Sequence, residues 1–238
     1  MIRRRVCAVV RLRDGFTGRL LPPGGTVCRL DGRPLRPQWK PEGYLVVTDL
    51  APGDHTLTLL RAGYGPAELT ISGGLLEETV DLRPGPGYRF PPETAELTVR
   101  LRAKKLPAGP VYAGMAGDPA VRQAQDGGGE DGRVRLFCQG PEALLPVPGR
   151  FLAAGEAGGE VALVRALRDG TAELAAPLTL AHRRGTPWVP VQPFAPADGA
   201  VRMQFCRPGT VYLCCGGVWT RTETAAGTQE FLWNLDGG

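Results

Sequence analysis

The stretch GYLVVTDLAPGDHTLTLLRAGY, residues 43–64, shows most clearly how the chain is organised. Two short apolar runs, Leu45–Val47 and Leu57–Leu59, flank the pair Pro52-Gly53. Proline presets φ near the value that a turn needs, and glycine adopts a positive φ without steric cost. The stretch is therefore predicted to be a β-hairpin whose leucines face a core and whose threonines face solvent.

The same two-residue alternation recurs along the chain. Apolar side chains occupy every second position in the segments 6–12, 97–101, 134–136, 201–205, 211–215 and 231–235. This spacing is typical of β-strands, and turn pairs such as Asp-Gly and Gly-Gly separate the segments. No segment carries a helical stripe of useful length. The predicted fold class is all-β, with two β-sandwich domains in tandem.

The length and the distribution of proline and glycine predict where the domains meet. A chain of 238 residues fits one large β domain or two domains of about 100 to 150 residues each. The sequence RPGPGYRFPP at 83–92 predicts an ordered connector, because aromatic residues lie among its prolines. We predict a first sandwich at 1–83, a connector at 84–92 and a second sandwich domain at 93–238. The pattern leaves open whether 93–238 form one sandwich or two small units.

The first third of the chain carries turn signals in a definite order. They are Asp14, Thr17-Gly18, Leu20-Leu21, Gly25-Thr26-Val27, Gly43, Asp49-Leu50, Pro52-Gly53 and Gly63-Tyr64. In these features residues 3–82 resemble the carboxypeptidase regulatory-like domain, a transthyretin-like (prealbumin-like) β-sandwich. The family usually carries an aromatic residue where this chain has His55. The resemblance implies a sandwich without catalytic residues of its own, and the second domain is of unknown family.

Charge and hydropathy exclude several classes of partner. The formal net charge is only +4, and the basic residues are interspersed with Asp and Glu, so nucleic acid is not expected as a partner. The apolar run Val6–Val10 is too short for a secretion signal, and no uncharged apolar run approaches the ~18 residues of a membrane span. We expect a cytoplasmic protein, retained there or incorporated into a particle that is exported or released.

The six cysteines allow thiols or disulfides. They are Cys7, Cys28, Cys138, Cys206, Cys214 and Cys215. Without a secretion signal, mostly buried thiols are expected. Cys7 and Cys28 lie on strands that we expect to be adjacent, so a disulfide between them is the alternative for that pair. Cys214 and Cys215 are consecutive in a strand and point to opposite faces, which argues against a shared metal ion.

The chain lacks the usual catalytic residues. Ser72 is the only serine, and no Gly-x-Ser-x-Gly elbow surrounds it. His55 and His182 are the only histidines, and neither lies near another ligand residue at metal-site spacing, so structural roles are favoured for both. The glycine run 127–129 precedes neither Lys-Ser/Thr nor a helix, so it is not a phosphate loop. We predict that the protein is not an enzyme and that it uses no cofactor or metal.

Three aromatic residues are the candidate binding residues. Trp39 and Trp188 lie in the proline-framed sequences RPQWKP and TPWVP, and Tyr44 lies close to Trp39 in the sequence. Exposed aromatic rings stack on sugars or anchor protein interfaces, whereas buried rings would cap the ends of the sandwiches. The leading hypothesis is a non-catalytic structural or adaptor protein that binds protein subunits of a larger assembly, such as a phage-tail-like contractile injection particle. The alternative is a carbohydrate-binding module that uses Trp39, Tyr44 and Trp188.

Overall fold

The computed structural model describes residues 5–22, 24–40, 43–117, 120–142 and 145–236. These residues form β-strands joined by turns and loops, and the all-β fold class is confirmed. Within them, no helix is long and apolar enough to cross a membrane. The chain divides into two compact units, Met1–Pro91 and Pro92–Gly238.

The first unit is an eight-stranded sandwich. Its strands are β1 (Val6–Asp14), β2 (Thr26–Leu30), β3 (Arg33–Leu35), β4 (Gln38–Trp39), β5 (Tyr44–Thr48), β6 (His55–Arg61), β7 (Ala67–Ile71) and β8 (Leu76–Leu82). One sheet has the order β4-β5-β1-β8 and the other the order β3-β2-β6-β7. Val10 and Leu12 of β1 and Leu57 and Leu59 of β6 are buried in one core. The period-two pattern of the sequence therefore produces a two-layer fold.

The stretch 43–64 contains two strands and a turn, but it is not a hairpin. β5 pairs with β1 and β4 in one sheet, whereas β6 pairs with β2 and β7 in the other. The predicted pairing was wrong, although the strands and the turn at Gly53, which has a φ of 127°, were predicted correctly. The chain passes from one sheet to the other because Leu45 and Leu57 then face the same core from opposite sides.

Residues 84–91, which we predicted to be part of a connector, belong to the compact first unit. Pro84 forms an isolated β-bridge with Tyr64, and the N–H of Gly85 donates to the carbonyl of Gly63 at 2.9 Å. A Cβ at Gly85 would lie 2.6 Å from the nitrogen of Gly65, so this close approach of two backbones requires glycine. Backbone contacts hold the segment to the sandwich.

Thirteen strands form the second unit. They are β9 (Ala95–Arg102), β10 (Val111–Met115), β11 (Val121–Gln123), β12 (Arg133–Cys138), β13 (Gly149–Gly155), β14 (Gly158–Arg168), β15 (Thr171–Leu174), β16 (Trp188–Pro190), β17 (Gln192–Phe194), β18 (Ala200–Phe205), β19 (Gly209–Cys215), β20 (Val218–Thr224) and β21 (Gly227–Asn234). Seven of them form a sandwich with the sheet orders β17-β10-β19-β20 and β18-β9-β21. Val99, Val111 and Leu213 lie in its core.

The other six strands form a separate sheet, inserted between β10 and β17, with the order β11-β12-β15-β14-β13-β16. Its two ends meet, because the N–H of Gln123 donates to the carbonyl of Thr186 at 2.9 Å and Arg122 forms an isolated bridge with Pro187. The sheet therefore closes on itself around a core that includes Phe151. The strand pattern is compatible with a sandwich or a barrel, but two sandwiches were predicted and this closed sheet was not.

The two sandwiches share one topology. In each, the first strand lies between an antiparallel neighbour and a final strand that runs parallel to it, in the orders β5-β1-β8 and β18-β9-β21. The facing sheets also correspond, as β3-β2-β6-β7 and β17-β10-β19-β20, with antiparallel pairing throughout. In the second unit, the closed sheet occupies the position of the Asp31-Gly32 turn that joins β2 to β3 in the first.

The outer face of the closed sheet is covered on one side only. Leu152 of β13 and Val189 of β16 pack on Tyr212 and Cys214 of β19 in a small buried cluster. This cluster joins the closed sheet to the sandwich of the second unit. The part of the outer face on β11, β12 and β15 lies away from the cluster and carries exposed side chains.

Candidate interaction surfaces

Trp39 and Tyr44 lie on neighbouring strands at one edge of the first sandwich, but on opposite faces of their sheet. Trp39 pairs with Leu45, and its half-buried ring packs against the first core. Tyr44 pairs with Arg11 on the other face, and the guanidinium carbon of Arg11 lies 4.5 Å from the centre of its ring. The two rings therefore cannot form one stacking surface, because consecutive residues of a strand point to opposite faces.

Trp188, the third predicted stacking residue, is only 1% exposed. It lies inside the closed sheet, where its indole Nε1–H donates to Oε1 of the buried Gln123 at 3.3 Å. The amide nitrogen of Gln123 in turn donates to the carbonyls of Gly127 and His182. The prediction that Trp188 is a ligand-binding ring was therefore wrong, because the proline-framed segment folds inward as β16.

Cys7 and Cys28 are free thiols in the first core, so the disulfide is not formed. They lie on β1 and β2, which belong to opposite sheets, and the expectation that these strands are adjacent was wrong. The Sγ of Cys7 lies 3.5 Å from the nitrogen of Leu50. Burial raises the pKa of Cys28 to about 11, so this thiol is protonated and unreactive at neutral pH.

His182 is enclosed in the second unit, and neither ring nitrogen has a hydrogen-bond partner among the described residues. Its Nε2 lies 3.5 Å from Oε2 of Glu160, which already accepts the N–H of Leu180. On the other side, a Cβ at Gly155 would lie only 2.5 Å from Nδ1. No group of three potential metal ligands occurs in the described part of the chain. The geometry around His182 is that of a tightly packed structural residue.

A buried carboxylate organises a cluster of hydrogen bonds at one end of the first sandwich. No sequence pattern predicted this cluster. Asp14 is 6% exposed and accepts hydrogen bonds from the N–H groups of Phe16 and Thr17 at 2.8 and 3.0 Å. It also accepts the hydroxyls of Tyr64 and Tyr88 at 3.0 and 2.6 Å. These four donors match the four acceptor sites of a carboxylate, so the cluster is saturated and structural.

The pKa values in this cluster follow from the same contacts. Burial by itself raises the pKa of Asp14, but the hydrogen bonds from Tyr88, Thr17, Phe16 and Tyr64 outweigh it and leave the pKa below its usual value. Burial and the bond to Asp14 raise the pKa of Tyr64 to about 12. At neutral pH the carboxyl group is ionised and Tyr64 is protonated, which is the pair of states that gives the strongest hydrogen bonds.

Each sandwich has an edge strand that runs parallel to its neighbour, β8 beside β1 and β21 beside β9. No described strand pairs with the outer side of either. β8 carries several acidic residues, whereas β21 has one charged residue, Glu230, which is paired with Arg100 at 3.0 Å. β21 is eight residues long, pairs without a bulge, and presents Leu232 at 61% exposure. Charges, prolines and bulges protect natural sheet edges, so β21 is the less protected edge.

Six arginines point outward from four of the six strands of the closed sheet, and we call them the arginine face, although they are spread around the sheet. They are Arg122 of β11, Arg133 and Arg135 of β12, Arg150 of β13, and Arg165 and Arg168 of β14. The alternation of the strands places them there, as Val134 and Leu136 on either side of Arg135 are buried in the core. Glu173 of β15 is the acidic strand residue on the same face.

The arginine face has six cations and one strand carboxylate, that of Glu173, which lies opposite Arg133. Within the described ranges, none of its six arginines takes part in an ion pair, and Arg122 donates to a backbone carbonyl instead. On the sandwich sheets, Arg13 is paired with Asp81 and Arg100 with Glu230, whereas Arg29 and Arg221 are exposed and form no ion pair with a described residue. The arginine face is therefore an open, positively charged surface within the second unit.

No protein-family model matches the chain, and no curated protein has a matching sequence. Three solved structures with a limited likeness are the TIE protein of Bacillus anthracis, the major pilin subunit BcpA of Bacillus cereus and a leucine-rich repeat protein of Bacteroides thetaiotaomicron. Their identities to this chain are 10%, 8% and 12%, and their TM-scores are 0.24, 0.26 and 0.19.

These likenesses extend over nearly the whole chain, at 97%, 98% and 98% of its length. They cover 50% of the TIE protein, 99% of the pilin subunit and 26% of the leucine-rich repeat protein. The chain thus spans only half the length of the TIE protein. Likenesses with such low TM-scores carry no argument about function, which must come from the surfaces of this chain.

Proposed function

We propose that the protein is a non-catalytic structural or adaptor component that binds the protein subunits of a larger assembly. The observation that carries the proposal is the long, weakly protected edge strand β21, in which the side chain of Leu232 is exposed. In a parallel ladder, every second residue of an edge strand directs its N–H and C=O groups away from the sheet. Those groups pair readily with an extended segment of another protein.

The experiment is a capture from the native cell lysate with the tagged full chain as bait. Leu232→Lys places a charge on the proposed edge, which is how natural sheets discourage edge pairing. Val27→Lys is the matched control, because Val27 is 59% exposed and Leu232 61%, but Val27 lies in β2, which is paired on both sides. We expect stoichiometric protein subunits with the unchanged bait and with Val27→Lys, and loss of those subunits with Leu232→Lys.

Two outcomes would overturn this proposal. If the bait is a well-behaved monomer and is recovered without any other protein, the adaptor function is refuted. Equal recovery with both variants would show that the contact lies elsewhere than β21. Circular dichroism of both variants checks that each has kept its β-sheet content.

The narrower form of the proposal names the family and the assembly. The first unit would be a carboxypeptidase regulatory-like domain, and the chain would be a cytoplasmic component built into a phage-tail-like contractile injection particle. The order of turn signals from Asp14 to Gly63-Tyr64 supports the first part. Sedimentation of contractile particles from the native lysate tests the second, since the chain should appear in the particle fraction together with sheath and tube subunits.

Carbohydrate binding is not supported as a second function. It required the rings of Trp39, Tyr44 and Trp188 to be exposed together, but Trp188 is buried and the other two lie on opposite faces of a sheet. A glycan partner would therefore need a different surface from the one predicted.

A further inference from the structure

The closed sheet is an addition to a scaffold that the chain uses twice. Both sandwiches have the same strand order apart from the edge strand β4 of the first, and the second carries six additional strands inserted between β10 and β17. Insertions at loop positions are where folds acquire binding surfaces, because the scaffold does not depend on their outer residues. The outer face of the insertion that is not covered by β19 carries the arginine face.

The registers of the strands give the spacing of the arginines. Arg135 lies directly opposite Thr171 of β15, and Thr171 lies directly opposite Arg168 of β14. Neighbouring strands are about 4.8 Å apart, so the backbones at Arg135 and Arg168 are separated by about 10 Å. Two guanidinium groups at this separation can approach a carboxylate from both sides, each through paired N–H donors.

The exposed apolar side chains of this face are placed beside arginines. Phe137, which is 56% exposed, lies directly opposite Arg122, and Leu163, which is 40% exposed, lies directly opposite Arg150. Residues in such pairs have Cβ atoms about 5 Å apart. Each pair therefore presents a cation and an apolar group to the same part of a ligand. Arginine and aromatic side chains are enriched in this way at protein interfaces.

We propose that the arginine face, together with Phe137 and Leu163, binds an acidic protein segment in which carboxylates are interspersed with apolar side chains. The proposal rests on the adaptor function and names the chemistry of a partner at a second surface, separate from the β21 edge. None of the six arginines forms an ion pair with a described residue, although Glu173 lies opposite Arg133, so a ligand that supplies carboxylates displaces no existing ion pair.

A protein fits this surface better than a nucleic acid does. Glu173 lies opposite Arg133, within the face, and weakens its attraction for any anionic ligand, whether phosphate or carboxylate. The preference for a protein comes from the exposed Phe137 and Leu163, which would gain little from phosphates, whereas they match apolar side chains.

The test is a direct binding assay with the full chain and synthetic probes. The probe is a fluorescent 16-residue peptide of Glu and Asp interspersed with Phe and Leu, measured by anisotropy at about 150 mM salt, where long-range attraction is screened. Three control probes separate the contributions of the acidic residues, of the apolar residues and of negative charge alone. In the first, the acidic residues become Gln and Asn; in the second, the apolar residues become Ser; the third is a single-stranded DNA 16-mer.

The variant Arg135→Glu/Arg168→Glu reverses the central pair of charges. Its matched control is Arg29→Glu/Arg221→Glu, which changes the net charge equally at two exposed arginines outside the arginine face. We expect at least a tenfold loss of affinity for the acidic peptide in the first variant and less than a twofold loss in the control. Phe137→Ser should weaken peptide binding at least threefold.

Three results would overturn the proposal: no peptide binding by the unchanged chain, equal losses in the two charge-reversal variants, or tighter binding of the DNA than of the peptide. Arg135→Gln/Arg168→Gln replaces the glutamates if these prevent folding, and should give a smaller loss in the same direction. Leu232→Lys should bind the peptide normally. The experiments therefore distinguish a failure of the proposal for the β21 edge from a failure of the proposal for the arginine face.

Discussion

The two sandwiches of this chain differ most at one junction, although the first also has the short edge strand β4, which has no counterpart among the described strands of the second. In the first, β2 and β3 are joined by Asp31-Gly32, a turn in which both residues have positive φ angles of 49° and 76°. In the second, the corresponding strands β10 and β17 are joined by the six-stranded closed sheet, which has its own core around Phe151 and Trp188. The sandwich therefore tolerates either a two-residue turn or a closed sheet at this junction, because its strand pairing is complete without the insertion.

The insertion also changes which surfaces are buried. In the second unit, the face of β19 that carries Tyr212 and Cys214 is covered by the closed sheet. Among the described residues of the first unit, no strand covers the corresponding sheet, and Val27 of β2 is 59% exposed. The second unit thus has two joined cores where the first has one. The closed sheet carries the arginine face on its outside. The first sandwich instead has the saturated Asp14 cluster at one end.

The largest expected effect tests whether the closed sheet depends on its own core. Trp188→Ala removes a fully buried ring and the partner of Gln123, so we expect the free energy of unfolding of the second unit to fall by about 3–5 kcal/mol. Trp39→Ala, at the half-buried edge of the first sandwich, should cost the first unit about 1–2 kcal/mol. Urea denaturation with hydrogen exchange read peptide by peptide measures both.

In the same experiment, peptides from β11–β16 should lose protection in Trp188→Ala, while those from β1–β8 stay unchanged. A cost for Trp188→Ala no greater than that for Trp39→Ala would show that the ring is dispensable and that the closed sheet is not organised around it.

A smaller effect is expected from the buried carboxylate of the first sandwich. Asp14→Ala leaves the hydroxyls of Tyr64 and Tyr88 and two N–H groups without their acceptor, which should cost the first unit about 3 kcal/mol. Asp81→Ala is the control, because Asp81 is half exposed and its pair with Arg13 should be worth under about 1 kcal/mol. Equal costs in urea denaturation would contradict a structural role for Asp14.

The pH dependence of this effect has a definite sign. The pKa of Asp14 is lower in the folded protein than in the unfolded chain, so its ionisation stabilises the fold above the unfolded pKa of about 3.9. That contribution is lost as the pH falls through the folded pKa. The difference in stability between the unchanged chain and Asp14→Asn should therefore decrease on acidification below about pH 4.

The smallest effect concerns the turn that the second unit replaces. His55 Nδ1 lies 2.7 Å from Oδ2 of Asp31, and Nε2 lies 3.0 Å from the carbonyl of Ala51. The hydrogen bond to Asp31, and then that to Ala51, raises the pKa of His55. Its stabilising contribution is complete below the unfolded pKa of about 6.5 and is lost as the pH rises through the folded pKa.

We therefore expect the first unit to unfold at a slightly lower urea concentration at pH 8 than at pH 6. His55→Gln should abolish this shift in the urea concentration. The second unit has the closed sheet in place of this turn, so its unfolding should not show the shift. A shift of the same size in His55→Gln would assign the pH dependence to other groups.

The sequence was informative wherever the prediction needed only local alternation. Val10 and Leu12, Leu57 and Leu59, and the turn at Gly53 were all predicted correctly, because a strand's period and a glycine's φ are properties of a few consecutive residues. The pairing of β5 with β6 was predicted wrongly for the same reason. Alternation shows which side chains face a core, but not whether two strands face it from one sheet or from two.

The candidate site residues show the same limit. Trp188 was named as a candidate binding residue because prolines frame it, with burial as the alternative, and it is buried because β16 closes the inserted sheet. Asp14 and Tyr64 were both noted among the turn signals, but they lie 50 positions apart in the chain, and no local pattern predicts that they share a hydrogen bond.

Side-chain period and backbone φ predicted the all-β class, most of the strands and the turns. The shared topology of the two sandwiches, the closed sheet inserted in the second, and the approach of Arg135 to Arg168 across β15 are properties of the folded structure. These properties depend on which strands pair, and pairing is set by the burial of apolar faces from distant parts of the chain in common cores.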